Sequence, residues 1–197
     1  QGMGYEGLDL LAEAGLEYGL PIVTEVLHPS DVGPVAEKAD VLQVGARNMQ
    51  NFVLLTEVGK TDRPVLLKRG FMSTLDEFLA AAWRIDRRGN PDIVLCERGV
   101  RGFEPWTRNT LDIAAIPRLS QLCPFPLIVD VSHAAGRKDI LAPLGRAALA
   151  AGANGLMVEV HPCPELARSD SEQQLDLDGL ARFMVETGLA SAPAVHT

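Results

Sequence analysis

The sequence has 197 residues, with 18 Lys+Arg against 26 Asp+Glu and a formal net charge of −8 at pH 7. Hydrophobic residues at 47% and charged residues at 22% supply enough apolar material for a packed core and exclude wholesale disorder. The acidic balance argues against nucleic acid or an anionic membrane as partner, and no run reaches the roughly 18 uninterrupted apolar residues of a membrane span.

Along the chain, a helix-like opening (Tyr5 to Tyr18) shows no basic leader ahead of an apolar stretch, so a cytoplasmic protein is expected. Short apolar runs then alternate with amphipathic segments. The runs are PIVTEV (Pro21 to Val26), VLQVG (Val41 to Gly45), PVLLKRG (Pro64 to Gly70), DIVLCERG (Asp92 to Gly99), PLIVDVSH (Pro126 to His133) and GLMVEVHP (Gly155 to Pro162). They are rich in Val, Ile and Leu without strict alternation, as strands buried on both faces of a parallel sheet are. His28, in VLHPSD, reads as a loop residue. Between runs, Thr74 and Glu77 have capping-box spacing ahead of an apolar helical face, with Gly89 closing that helix after Arg87 and Arg88. The segments DILAPLGRAALAAG and LDGLARFMVETG also end in Gly.

Alternating strands and helices fit either an open doubly wound sheet or a closed barrel. No GxGxxG follows an apolar run, since the GMGYEG spelling at Gly2 to Gly7 lies ahead of the first of them, and GxxxxGK is absent, which removes the usual signature of the open sheet. Polar and charged side chains stand at the ends of nearly every run, which is the pattern of a TIM (β/α)8 barrel. Six runs are present where a barrel has eight. The expected fold is therefore α/β, a single TIM-barrel domain over residues 1–197 that is N-terminally incomplete, with six of eight βα units and no regulatory domain. An unclosed sheet edge also predicts self-association.

In such a barrel, Glu25, Arg47, Lys68 and Arg98 would converge on one mouth. The cations among them would make a local positive pocket suited to a phosphate or carboxylate. His133, Glu159 and Asp170 offer one imidazole and two carboxylates, a donor set for a divalent ion such as manganese, iron, cobalt or zinc. His161 competes, because it alternates to the same side of the strand as Glu159. Cys96 reads as a small buried hydrophobe rather than a nucleophile, and Cys123 and Cys163 lie beside prolines in loops. Trp83 and Trp106 read as packing anchors, and Glu104 to Asp112 as a substrate loop.

Together the runs GARNMQN, LLKRG, CERGVRGFEPWTRNTLD, LIVDVSHAAGRKD and MVEVHPCPELARSD resemble the 3-deoxy-D-arabino-heptulosonate 7-phosphate (DAHP) synthases, in their compact microbial type I-beta branch. The likeness runs from Gln1 to about Gly188. It implies condensation of phosphoenolpyruvate with erythrose 4-phosphate, releasing phosphate, as the entry to the shikimate pathway of aromatic amino acid biosynthesis. It further implies that Arg47, Lys68 and Arg98 hold the anionic groups of phosphoenolpyruvate and that Glu25 orders a water or one end of that pocket. His133, Glu159 and Asp170 would be metal ligands, with Lys68 as a proton donor. The related octulosonate 8-phosphate synthases are the alternative, set apart by a different segment where this sequence has VGARNMQN. The family's GPC run, with a fourth ligand, and its KPRT run, with a phosphate site, have no counterpart here. The chain alone is accordingly expected to show little synthase activity, and a catalytically incomplete anion- or partner-binding module is a third possibility.

Overall fold

The computed structural model describes residues 2–191, and the chain divides into two compact units after Cys96. Every segment between the first and last strands carries at least one helix, giving an α/β protein with six strands, parallel within each unit.

The first unit opens with α1 (Gly4–Tyr18) and continues through β1 (Val23–Glu25), α2 (Val32–Ala36), β2 (Val41–Val44), α3 (Phe52–Val58), β3 (Val65–Lys68), α4 (Leu75–Asp86) and β4 (Ile93–Glu97). The strands pair parallel in chain order, with Val23 opposite Val41, Leu42 opposite Val65, and Val65 opposite Ile93. All four residues of β3 are buried, as its unbroken apolar pattern predicts for a strand covered on both faces. Leu42, Leu54, Leu67, Phe78, Ile85 and Ile93 fill the core. The capping box of α4 forms as the spacing predicts. Thr74 Oγ1 accepts from the Glu77 N–H at 3.2 Å, and Glu77 Oε2 accepts from the Thr74 N–H at 2.8 Å. Buried Asn90 then fastens the turn into β4, donating to Arg63 O at 2.7 Å and accepting from the Asp92 N–H at 3.1 Å.

The second unit holds α5 (Ala115–Leu122), β5 (Leu127–Asp130), α6 (Val131–Ala135), α7 (Leu141–Ala150), β6 (Gly155–Met157) and α8 (Leu177–Glu186). β5 and β6 are parallel, with Val129 opposite Leu156. Asn154 locks their entry, its side chain accepting from the Leu127 N–H at 2.8 Å while its own N–H donates to Leu127 O at 2.7 Å. Ile116, Leu119, Leu127, Val131, Leu141 and Phe183 are buried around them.

Two strands are shorter than their apolar runs. β5 ends at Asp130, because the Asp130 side chain caps the following turn by accepting from the His133 N–H at 3.0 Å. His133 therefore sits on the short helix α6 instead of a strand end. β6 ends at Met157, and beyond it Val160 makes a parallel bridge to Leu175, flanked by Glu159 and His161. Trp106 is 75% exposed on the loop EPWTRNT, which overturns its reading as a packing anchor. Trp83 is half-buried on α4. No helix among the described residues is long and apolar enough to cross a membrane.

Candidate functional site

In the first unit, Glu25 ends β1, Arg47 lies in the single helical turn Ala46–Asn48 after β2, and Lys68 ends β3. Neighbouring parallel strands put all three at one sheet edge. Glu25 is exposed and takes a 3.4 Å hydrogen bond from Gln43 Nε2, the side chain opposite it across the ladder. Its carboxylate lies over Gly45, where a Cβ would stand 2.0 Å from Oε1, so that close approach depends on glycine. Arg47 is exposed, with its guanidinium 5.4 Å from the centre of the Phe71 ring. Lys68 is buried at 7% exposure, as is Arg69 at 5%. Just beyond, the Gly70 N–H donates to the sulfur of buried Met49 at 3.1 Å, fixing the turn after β3.

In the second unit, Arg98 follows β4 and is 2% exposed. Beside it, the Gly99 N–H donates to Glu97 Oε1 at 2.6 Å. His133, Glu159 and Asp170 come together: one ligand atom from each lies within 4.8 Å of the others. Fully buried Asp130 takes the His133 ring through Nδ1 at 2.8 Å, leaving Nε2 to face Glu159 Oε1 at 3.6 Å. The Glu159 N–H donates to Ser132 Oγ at 2.9 Å, and Gln173 Nε2 donates to Glu159 Oε2. Arg108 Nη1 donates to Asp170 Oδ1 at 2.7 Å. Asp170 itself has φ 55°, in the left-handed region that Asp tolerates better than most residues.

This arrangement fits a divalent ion. A metal-binding imidazole characteristically gives its other nitrogen to a carboxylate, and metal-binding carboxylates are themselves hydrogen-bonded. Both conditions hold at His133 and Glu159. One nitrogen and two oxygens suit a borderline ion of the manganese, iron, cobalt or zinc kind.

The rival histidines are occupied otherwise. His161 Nδ1 accepts from the Cys163 N–H at 3.0 Å within its own turn, and His28 binds Ser30 Oγ at 2.8 Å in its loop. Cys96 is fully buried in β4. The Cys163 thiol donates to Glu165 Oε1 at 3.1 Å, and this bond to an ionised carboxylate pushes the thiol above its ordinary range. Next to the cluster lies a cleft of about 820 Å³, reached by Trp106, Arg108, Arg137, Lys138 and Asp170. Within it, Arg137 grips Asp139 through both carboxylate oxygens, at 2.6 and 2.9 Å, and holds that carboxyl below its usual range. The sequence reading placed Arg108 and Asn109 only within the Glu104 to Asp112 substrate loop and did not reach Gln173, because their partners lie far off in the chain.

A family model described as the DAHP synthetase I family matches residues 1–189. The chain is 54% identical over 178 residues to phospho-2-dehydro-3-deoxyheptonate aldolase of Thermotoga maritima, covering 90% of this chain and 53% of that protein. It is 31% identical to 2-dehydro-3-deoxyphosphooctonate aldolase 2 of Pseudomonas putida, covering 92% and 68%. Among solved structures, the Thermotoga aldolase superposes with a TM-score of 0.94 at 51% identity, covering 96% of this chain and 56% of that one. A truncated form of the Thermotoga DAHP synthase gives 0.93 at 50% identity, covering 96% and 72%. The chain thus spans about half the length of the Thermotoga aldolase, and the family match takes in Glu25, Arg47, Lys68, Arg98 and the His133 cluster. It belongs to the DAHP synthetase I family.

Proposed function

We propose that this chain carries the reacting side chains of a DAHP synthase, a transferase that joins C3 of phosphoenolpyruvate to the aldehyde carbon of erythrose 4-phosphate. Water adds at C2, the C2–oxygen bond to phosphorus breaks, and inorganic phosphate leaves. The observation that carries this reading is the 54% identity to the Thermotoga aldolase, in a chain whose His133, Glu159 and Asp170 converge. On this reading the strands are six units of a (β/α)8 barrel, in a cytoplasmic protein that associates with further copies of itself.

Arg47, Lys68 and Arg98 each take an anionic group of phosphoenolpyruvate. Burial strengthens Lys68 and Arg98 in that role, because a charge removed from water acts through a lower effective dielectric. Lys68 also holds a transferable proton at Nζ. Glu25 orders a water or one end of the pocket, as a carboxylate already tied to Gln43. His133, Glu159 and Asp170 hold a divalent ion, which when bound supplies Lewis acidity toward an aldehyde. Asp130 keeps the His133 ring turned toward that ion.

A second reading, octulosonate 8-phosphate synthesis from arabinose 5-phosphate, draws on the 31% identity to the Pseudomonas aldolase. The two differ in the aldose phosphate consumed. With a segment bearing the family's GPC and KPRT runs supplied, phosphate release from phosphoenolpyruvate should be faster with the four-carbon aldose phosphate than with the five-carbon one, and should stop with a chelator. Faster turnover of arabinose 5-phosphate would favour the second reading, and chelator-insensitive turnover would remove the metal role.

A further inference from the structure

Arg108 and Asn109 lie side by side between β4 and α5, and through backbone and side chain they reach every member of the His133–Glu159–Asp170 cluster. The backbone contacts address His133. The Arg108 N–H donates to Ala135 O at 3.0 Å and the Asn109 N–H to Ala134 O at 2.9 Å, while Asn109 Nδ2 donates to His133 O at 2.8 Å. These are consecutive carbonyls of α6, the helix that carries His133. A helix this short leaves its last carbonyls without intrahelical partners, so the three bonds fix where the helix sits.

The side chain addresses the carboxylates. Arg108 Nη1 donates to Asp170 Oδ1 at 2.7 Å and to Gln173 Oε1 at 2.9 Å, and Gln173 Nε2 passes the contact on to Glu159 Oε2. Gln173 is 2% exposed and Asn109 5%, so solvent has little access to their bonds, while the Arg108–Asp170 pair is partly open at 35% and 29%. Gly136 makes room for the arrangement: its φ is 69°, and a Cβ there would stand 2.4 Å from Arg108 Cβ.

We propose that Arg108 and Asn109 are positioning residues of the metal centre, beside Asp130 on the His133 ring. Arg108 sets Asp170 directly and Glu159 through Gln173, and Asn109 sets His133 through its carbonyl. The guanidinium also offsets the repulsion of two carboxylates aimed at one point. This rests on reading the trio as a metal site.

Cobalt(II) titration of the purified protein, followed by its visible absorption, tests the proposal, with circular dichroism as the folding control. Arg108→Gln is expected to weaken cobalt binding about 10- to 100-fold and to alter the cobalt spectrum. Arg108→Lys should recover part of both, as a point charge without the planar fork. Gln173→Met keeps the buried volume and removes the relay, and should weaken binding about tenfold. His133→Ala, which removes a ligand, serves as the reference for loss. If folded Arg108→Gln and Gln173→Met bind cobalt with the affinity and spectrum of wild type while His133→Ala does not, the positioning role is overturned and the metal site stands. If wild type takes up no cobalt, or His133→Ala binds it unchanged, the metal reading falls and this inference with it.

Discussion

Asp130 shows how much one buried carboxylate can decide. One oxygen accepts the His133 N–H and starts α6, while the other takes Nδ1 of the same residue. Asp130→Asn keeps an acceptor for the backbone but weakens the hold on the ring. It should therefore lower divalent-metal affinity about 10- to 100-fold with little loss of helix, read by metal titration beside circular dichroism. Cys163 gives a pH test. Its thiol is raised by the hydrogen bond to Glu165, so the folded protein keeps it protonated to higher pH than a free thiol. Glu165→Gln removes that charge, and the rate of iodoacetamide labelling at Cys163 should then rise at lower pH than in wild type. At this scale the sequence offers His133, Glu159 and Asp170 as an imidazole and two carboxylates in or just past apolar runs, with His161 as a rival, and it is the family resemblance that singles out the trio. Arg108 is not marked in this way, since its meaning lies in Asp170 and Gln173, 62 and 65 residues away.

Helix α4 is the element whose boundaries the amino acids state most openly. Thr74 and Glu77 cap it reciprocally, and Phe78 is fully buried on its inner face. Thr74→Ala should cost about 1 kcal/mol, whereas Phe78→Ala should cost about 3–5 kcal/mol through the cavity it leaves. Urea denaturation of the two variants side by side checks the order. Equal losses would mean that the cap or the core has been misjudged. The strands were legible for the same local reason, since a run such as VLLK is buried along its whole length. The short helix α6 was not. Nothing in DVSHAA has helical periodicity, and the turn exists because a side chain at its start supplies the missing acceptor.

At the scale of the whole chain, the alternation of apolar runs and amphipathic segments identifies the α/β class, because each strand–helix unit repeats the same physical demand to cover both faces of a strand. The number of units in a closed barrel is not a local property, and no periodicity within one unit contains it. Stability should respond to the metal as a whole-molecule quantity. An ion that binds only the folded protein adds about 2.7 kcal/mol at a hundred times its dissociation constant. Chelation should therefore lower the thermal midpoint of wild type, and His133→Ala should remove most of that difference. A midpoint in wild type indifferent to chelator would count against a resident ion.

The Met49–Gly70 contact bears on how the protein meets oxidants. The Met49 sulfur is both the acceptor that steadies the turn after β3 and a thioether at 1% exposure, beyond the easy reach of peroxide. Met72, close by in the chain and 77% exposed, stands in the open. Peroxide entering from solvent is therefore expected to convert Met72 to sulfoxide before Met49, leaving the sulfur that holds the Gly70 N–H reduced.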